Sequence, residues 1–175
     1  ISMVITKYQA AGIPVFISSI ASNLADQAPF SSANKSSEQL DNQGADYYYQ
    51  KGQKLLAQAN FKGAKQAFIK AKDLDLLRFR APSAMNDIIK KLSEKESVYF
   101  VDANKALMNA AEHGIIGKSL MLEHLHPTIK GYFVIADSFY QVLEQSKVFG
   151  EFPQMISTEI AGEDIPVFDA EVYWG

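Results

Sequence analysis

The stretch Gly12-Ile13-Pro14-Val15-Phe16-Ile17-Ser18-Ser19-Ile20 decides how the chain is read. Residues 3–11 before it carry a helical pattern, and Gly12 is the residue best suited to the left-handed conformation that closes a helix. The run after Gly12 is apolar without alternation, which predicts a strand buried on both faces, as parallel strands are. Helix, glycine and apolar strand in succession are the rhythm of an α/β fold, where ligands gather beyond the carboxyl ends of strands. Ser18 to Asp26 are therefore expected at that edge.

Toward the amino terminus, Ile1-Ser2-Met3-Val4-Ile5-Thr6-Lys7 has no signal-peptide layout and opens inside an apolar pattern, so it reads as a cut end. Toward the carboxyl terminus, Asn23 to Gly44 is rich in Ser, Asn, Asp and Gln without periodicity, which predicts a long loop. In residues 45–75, Tyr48, Gly52, Leu55, Leu56, Phe61, Ala64, Phe68 and Ala71 alternate small and large side chains as two interlocked antiparallel helices require. Ser83 to Lys95 reads as a helix capped by Ser83, with Met85, Ile88, Ile89 and Leu92 on its apolar face. Ser97 to Asp102 reads as a second strand, Ala103 to Glu112 as a helix ended by His113-Gly114, and 147–175 as an irregular tail with a strand near Ile165-Pro166-Val167-Phe168 and an abrupt Trp174-Gly175 end. Two parallel strands among this many amphipathic helices leave a sheet face uncovered. The sequence thus predicts the carboxyl-terminal part of a larger α/β domain, or two chains that pair to complete the sheet.

With 175 residues, 47% hydrophobic and 21% charged, the chain has the composition of one globular domain, and no apolar stretch is long enough for a transmembrane segment. A net charge of -3 with scattered Lys and Arg argues against nucleic acid as a partner. The absence of cysteine removes thiol catalysis, disulfides and cysteine-ligated metals, and it suits reducing and oxidising compartments alike.

The chemistry is expected at Glu123-His124-Leu125-His126-Pro127-Thr128-Ile129-Lys130-Gly131-Tyr132. Pro127 suits the first turn of a helix that continues through Ile129, Phe133, Ala136, Phe139, Tyr140 and Val142 to about Gln145, which leaves His126 on the entry loop. A carboxylate three residues before a histidine can orient one ring nitrogen while the other accepts a proton from a nucleophile. Taken alone the spacing is weak. A metal set of Glu123, His124 and His126, with His113 as a further ligand, and a His126 that merely caps a helix are the competing readings.

Two resemblances extend these readings. Tyr48, Gly52, Ala64, Phe68 and Ala71 resemble one tetratricopeptide repeat, with Leu76 where such repeats often carry Pro. A single repeat cannot bury its own face, so it is expected to pack on the α/β body, as a lid or spacer in preference to a peptide-binding element. Glu123 to Tyr132 resembles the final catalytic block of the SGNH, or GDSL-type, hydrolases, with Glu where that family usually has Asp. Gly12-Ile13-Pro14-Val15, and Ser22-Asn23-Leu24 followed by Asp26 and Pro29-Phe30, resemble the branch of that superfamily with a tetratricopeptide insertion.

What the resemblance implies is a three-layer α/β/α, flavodoxin-like parallel sheet that hydrolyses esters or acetyl groups, on small-molecule or acylated-carbohydrate substrates, through a serine and without metal or other cofactor. It divides the chain into an α/β body at 1–44 and 78–145, a helical-hairpin insertion at 45–77 and an extension at 146–175. His126 matches the family's base and Glu123 its orienter. The Gly-Asp-Ser nucleophile block and the Gly and Asn oxyanion blocks have no counterpart here, and in the family they precede the point where this chain begins, so the chain alone is expected to be inactive.

Ser138, in Ala136-Asp137-Ser138, lies within the last helix and after His126, the wrong place and order for a nucleophile. Ser18, Ser19 and Ser22 follow a strand but lack a nucleophile elbow, and hydrogen bonding at the sheet edge suits them better. Asn23 is expected to line the pocket, though Asn23 and Asp26 equally suit turn caps. Arg78 and Arg80 suit a clamp for a substrate carboxylate or phosphate, with ion pairs to Asp73, Asp75 or Asp87 as the stronger alternative. The other class of function is a non-catalytic interaction or carbohydrate- or peptide-binding module using the hairpin.

Overall fold

A computed structural model describes residues 1–33, 44–152, 156–163 and 165. Gly12, at φ +70°, ends helix α1 (Ser2–Ala10) in a Schellman arrangement: its N–H donates to the Gln9 carbonyl at 2.9 Å and the Ile13 N–H to that of Tyr8 at 2.9 Å. The apolar run then forms strand β1, which covers only Phe16–Ser18. Its partner β2 (Tyr99–Val101) runs parallel, with Phe16 opposite Tyr99, Ile17 opposite Phe100 and Ser18 opposite Val101. The Phe16 and Tyr99 rings stack at 4.7 Å. β1 is half-buried rather than buried on both faces, because β2 is its only neighbour among the described residues.

Among the described residues, the connection between these strands holds three helices, α2 (Ala45–Ala57), α3 (Phe61–Asp73) and α4 (Ser83–Glu96). After β2 come α5 (Ala103–Ala110), a 3-10 turn at Glu112–Gly114, α6 (Ile129–Ser146) and α7 (Thr158–Glu163). The fold is mixed α/β, mostly helical, with one small parallel sheet. No helix among the described residues is long and apolar enough to cross a membrane.

α2 and α3 form the hairpin. Gly52 lies so close to Phe68 that a Cβ there would stand 2.6 Å from the ring, which is why a small residue faces a large one. Asn60 caps α3 by accepting from the Gly63 N–H at 3.0 Å. The inner face packs on the body through a cluster of Leu24, Ala25, Ala64, Phe68 and Ile115, and the Ala25 carbonyl accepts from both Tyr49 Oη (2.9 Å) and Gln53 Nε2 (2.6 Å). A second cluster, Leu107, Ala111, Ile116, Leu120 and Met121, seats α5 against Val134 and Ile135 of α6.

Several local expectations are corrected. Pro82, not Ser83, holds the cap position of α4; the Ser83 N–H instead donates to Asp73 Oδ1 at 2.8 Å, so a side chain ten residues away satisfies the helix end. On α4, Ile89 is buried but Met85 and Ile88 face solvent. Thr128 caps α6, accepting from the Gly131 N–H at 3.1 Å, and Pro127 stands just outside the helix. Gly131 is required there, since a Cβ would run into the Leu120 carbonyl oxygen. A short helix, α7, occupies part of the tail expected to be irregular. Pro166 to Phe168 of the expected last strand, and Trp174-Gly175, lie outside the described residues.

Candidate active site

Glu123 and His126 sit on a loop pinched at its base. Met121 and Pro127 form an antiparallel bridge, the Leu122 N–H donates to the His126 carbonyl at 2.8 Å, and the Thr128 N–H to that of Leu120 at 3.0 Å. Within this loop the Glu123 carboxylate folds back on its own chain. Its Oε1 accepts from the backbone N–H of His126 at 2.7 Å and of Leu125 at 3.3 Å, and it also contacts His126 Nδ1. Its Oε2 lies 3.8 Å from His124 Nδ1. The His126 side chain is 70% exposed, and its Nε2 has no partner among the described residues. The ring is therefore oriented through Nδ1 and open at Nε2.

The backbone N–H of His126, with further help from its imidazole and the Leu125 N–H, holds the Glu123 carboxyl down at about 2, against an ordinary value of 4.5. A depressed folded value means that the ionised carboxylate favours the folded loop above the unfolded value, and that this contribution is lost as pH falls toward about 2. A carbon-detected NMR titration of the Glu123 carboxyl is expected to show its midpoint near 2. A midpoint at the ordinary carboxylate value would mean that the three donors do not engage it.

The loop is tied to the chain that leaves the carboxyl end of β1. The Asn23 N–H donates to the His124 carbonyl at 3.0 Å, and Asn23 is fully buried, with its Oδ1 accepting from the Asp26 N–H at 3.0 Å. Asn23 thus acts as a turn cap and a tether for the histidine loop. Arg80 braces it from behind: Nη1 donates to the carbonyls of Asn23 (2.9 Å) and Gln27 (3.0 Å), and Nη2 stands 3.7 Å from Asp75 Oδ2. Arg80 is 2% exposed, so it is spent inside the protein and does not offer its fork to a substrate as the clamp reading required. Burial lowers its pKa and Asp75 counters that. Three buried donors, Asn23 Nδ2 and Arg80 Nε and Nη2, have no hydrogen-bond acceptor among the described residues. Arg78, by contrast, is exposed and pairs with none of the described carboxylates, so it alone of the two arginines is open to solvent near Phe79.

His124 turns inward, 13% exposed, with Nε2 3.3 Å from the Ala28 carbonyl. Phe30 stacks on it at 4.2 Å, and Phe79 meets both rings edge-on. This three-ring cluster beside His126 was not foreseen. Its members come from three separate segments, so no spacing could have announced it.

Ser19 Oγ donates to Asp102 Oδ1 at 2.8 Å and accepts from the Asn104 N–H at 3.0 Å, which makes it part of the entry to α5. Ser18 Oγ donates to the Ser19 carbonyl, Ser22 is buried, and Ser138 Oγ turns back to the Ile135 carbonyl within α6. His113 lies apart from Glu123 and His126, stacked on Phe61 at 3.4 Å and 3.3 Å from Glu112. Among the described residues no group of three His, Asp or Glu is placed to hold a metal ion.

No protein-family model matches the chain, and no curated protein matches it significantly.

Proposed function

We propose that this chain carries the base-bearing part of a serine-dependent ester or acyl hydrolase of the SGNH/GDSL type, in which His126 is the general base and Glu123 its orienter. The observation behind this reading is the asymmetry of the imidazole. Glu123 engages Nδ1 and the backbone beside it, whereas Nε2, on a 70% exposed side chain, has no partner among the described residues, as suits the acceptor of a serine proton. Negative charge on Glu123 would stabilise the imidazolium as the proton arrives. The small parallel sheet with helices about it is consistent with one part of a three-layer α/β/α domain, and the serine and oxyanion donors would come from groups outside this sequence. Small esters and acylated carbohydrates are the substrate class. In this reading Arg78 and the half-exposed Phe30 and Phe79 would meet the substrate, while Asn23 supports the loop from within.

The full-length natural polypeptide containing this sequence is expected to hydrolyse short p-nitrophenyl esters and to be inactivated by a fluorophosphonate that labels a serine. Hydrolysis that survives stoichiometric labelling, or no hydrolysis of any ester offered, would sink the reading.

A further inference from the structure

The Glu123 carboxylate lies between two histidines in opposite situations. Its Oε1 engages His126, whose side chain is 70% exposed, while its Oε2 lies 3.8 Å from Nδ1 of His124, whose side chain is 13% exposed. The acid–base chemistry proposed for His126 gives His124 no part.

The surroundings of His124 nonetheless form a socket for its ring. Phe30 stacks on it at 4.2 Å with 21° between the planes, Phe79 presents its edge at 6.0 Å, and the two phenyl rings meet edge to face at 5.3 Å. These are the favourable geometries for aromatic pairs. Phe30 is fixed in its turn, because its backbone N–H donates to Asp75 Oδ2 at 2.9 Å. Within the socket, Nε2 of His124 stands 3.3 Å from the Ala28 carbonyl oxygen. A carbonyl oxygen only accepts, so Nε2 carries the hydrogen and Nδ1 is the nitrogen turned toward Glu123. The backbone is held as well, since the His124 carbonyl accepts from the Asn23 N–H at 3.0 Å.

The place of His124 in the loop gives this anchoring its consequence. It stands between Glu123 and the two residues whose N–H groups the Glu123 carboxylate accepts, Leu125 and His126. A carboxylate reaches back over the N–H groups two and three residues further on only while the chain between them stays tightly turned. A ring seated in a socket fixes that turn from its middle.

We propose that His124 is a positioning residue: held between Phe30, Phe79 and the Ala28 carbonyl, it keeps the loop in the shape in which Glu123 orients His126. Phenylalanine in its place would stack but leave Ala28 without its donor. The two imidazoles thus divide the work, the inward one anchoring and the outward one facing the reaction. The consequence for catalysis rests on the hydrolase reading; the anchoring does not.

The test uses the full-length natural polypeptide and two measurements. The first needs no substrate. By carbon-detected NMR the Glu123 carboxyl is expected to titrate at about 2 in the wild type and to move toward 4.5 in His124→Ala. Phe30→Ala removes the stacked ring without touching the loop, is expected to move the midpoint the same way, and decides the matter should His124→Ala fail to fold. His124→Phe keeps the stack and loses only the N–H, so it should undo part of the shift. The second measurement is kinetic: His124→Ala is expected to lower kcat for ester hydrolysis by up to about 10²-fold, the scale of loss that an ångström of misplacement brings, with KM little changed. A Glu123 midpoint that stays at its wild-type value in both alanine variants would overturn the proposal, and so would a midpoint that moves while kcat does not. A wild type that hydrolyses no ester would sink the hydrolase reading alone, and the carboxyl midpoints would still decide whether His124 holds the loop.

Discussion

His126→Ala in the full-length natural polypeptide is expected to lower kcat for ester hydrolysis by on the order of 10²–10⁴-fold, the usual contribution of a positioned general base, with KM little changed. The size of the effect follows from where the ring stands. Nδ1 is held by Glu123, so the only basic site left is Nε2, and Nε2 meets no other described group. Without it a serine hydroxyl has no nearby acceptor for its proton. Because the side chain is 70% exposed, its removal opens no cavity, and the thermal midpoint of the variant should match that of the wild type. That pairing of outcomes separates a chemical role from a structural one. Steady-state kinetics and a melt suffice, and an unchanged kcat would remove His126 from the mechanism.

Asp75→Ala is expected to destabilise the fold by about 3–5 kcal/mol, the range for breaking a buried pair by removing one partner. Asp75 and Arg80 are each 2% exposed. At 3.7 Å the pair acts through charge more than through a hydrogen bond, and the carboxylate has other duties. It accepts from the backbone N–H groups of Phe30 (2.9 Å), Ser31 (3.0 Å) and Leu77 (3.2 Å). Alanine would leave a buried cation without its counter-ion and three backbone donors without their acceptor at once. Asp87→Ala is the control: that residue is exposed on α4 and has no ion-pair partner among the described residues. Urea denaturation measures both. A cost for Asp75→Ala no larger than for Asp87→Ala would mean that the Asp75–Arg80 pair does not hold this region.

The parts of the fold legible in the sequence were those decided by neighbours along the chain. Gly12 was recognisable as a helix end because its left-handed backbone satisfies carbonyls only a few residues away. Gly52 and Phe68 announced the hairpin because a glycine facing a large ring is a local packing necessity. Glu123 could be linked to His126 because three residues bring a carboxylate back over its own backbone. What sequence could not supply was whatever depends on distant partners. The apolar run from Ile13 to Ile20 did not reveal that only Phe16–Ser18 would pair, since the extent of a strand is set by the strand beside it. Ser83 had the chemistry of a cap, but Asp73 arrived from α3 and took the task. Arg80 and Arg78 are alike in sequence; burial against Asn23, Gln27 and Asp75 separates them.

The bonds made by Asp75 also bear on how the hairpin relates to the rest of the molecule. Asp75 follows the last turn of α3, yet it serves the backbone at Phe30 and Ser31 and the side chain of Arg80. A graft that excised residues 45–77 and rejoined the chain would therefore strip the histidine-bearing part of a counter-ion it uses. The two helices are not a detachable cassette, and a trimmed protein would need a substitute for Arg80 before it could be expected to keep its shape.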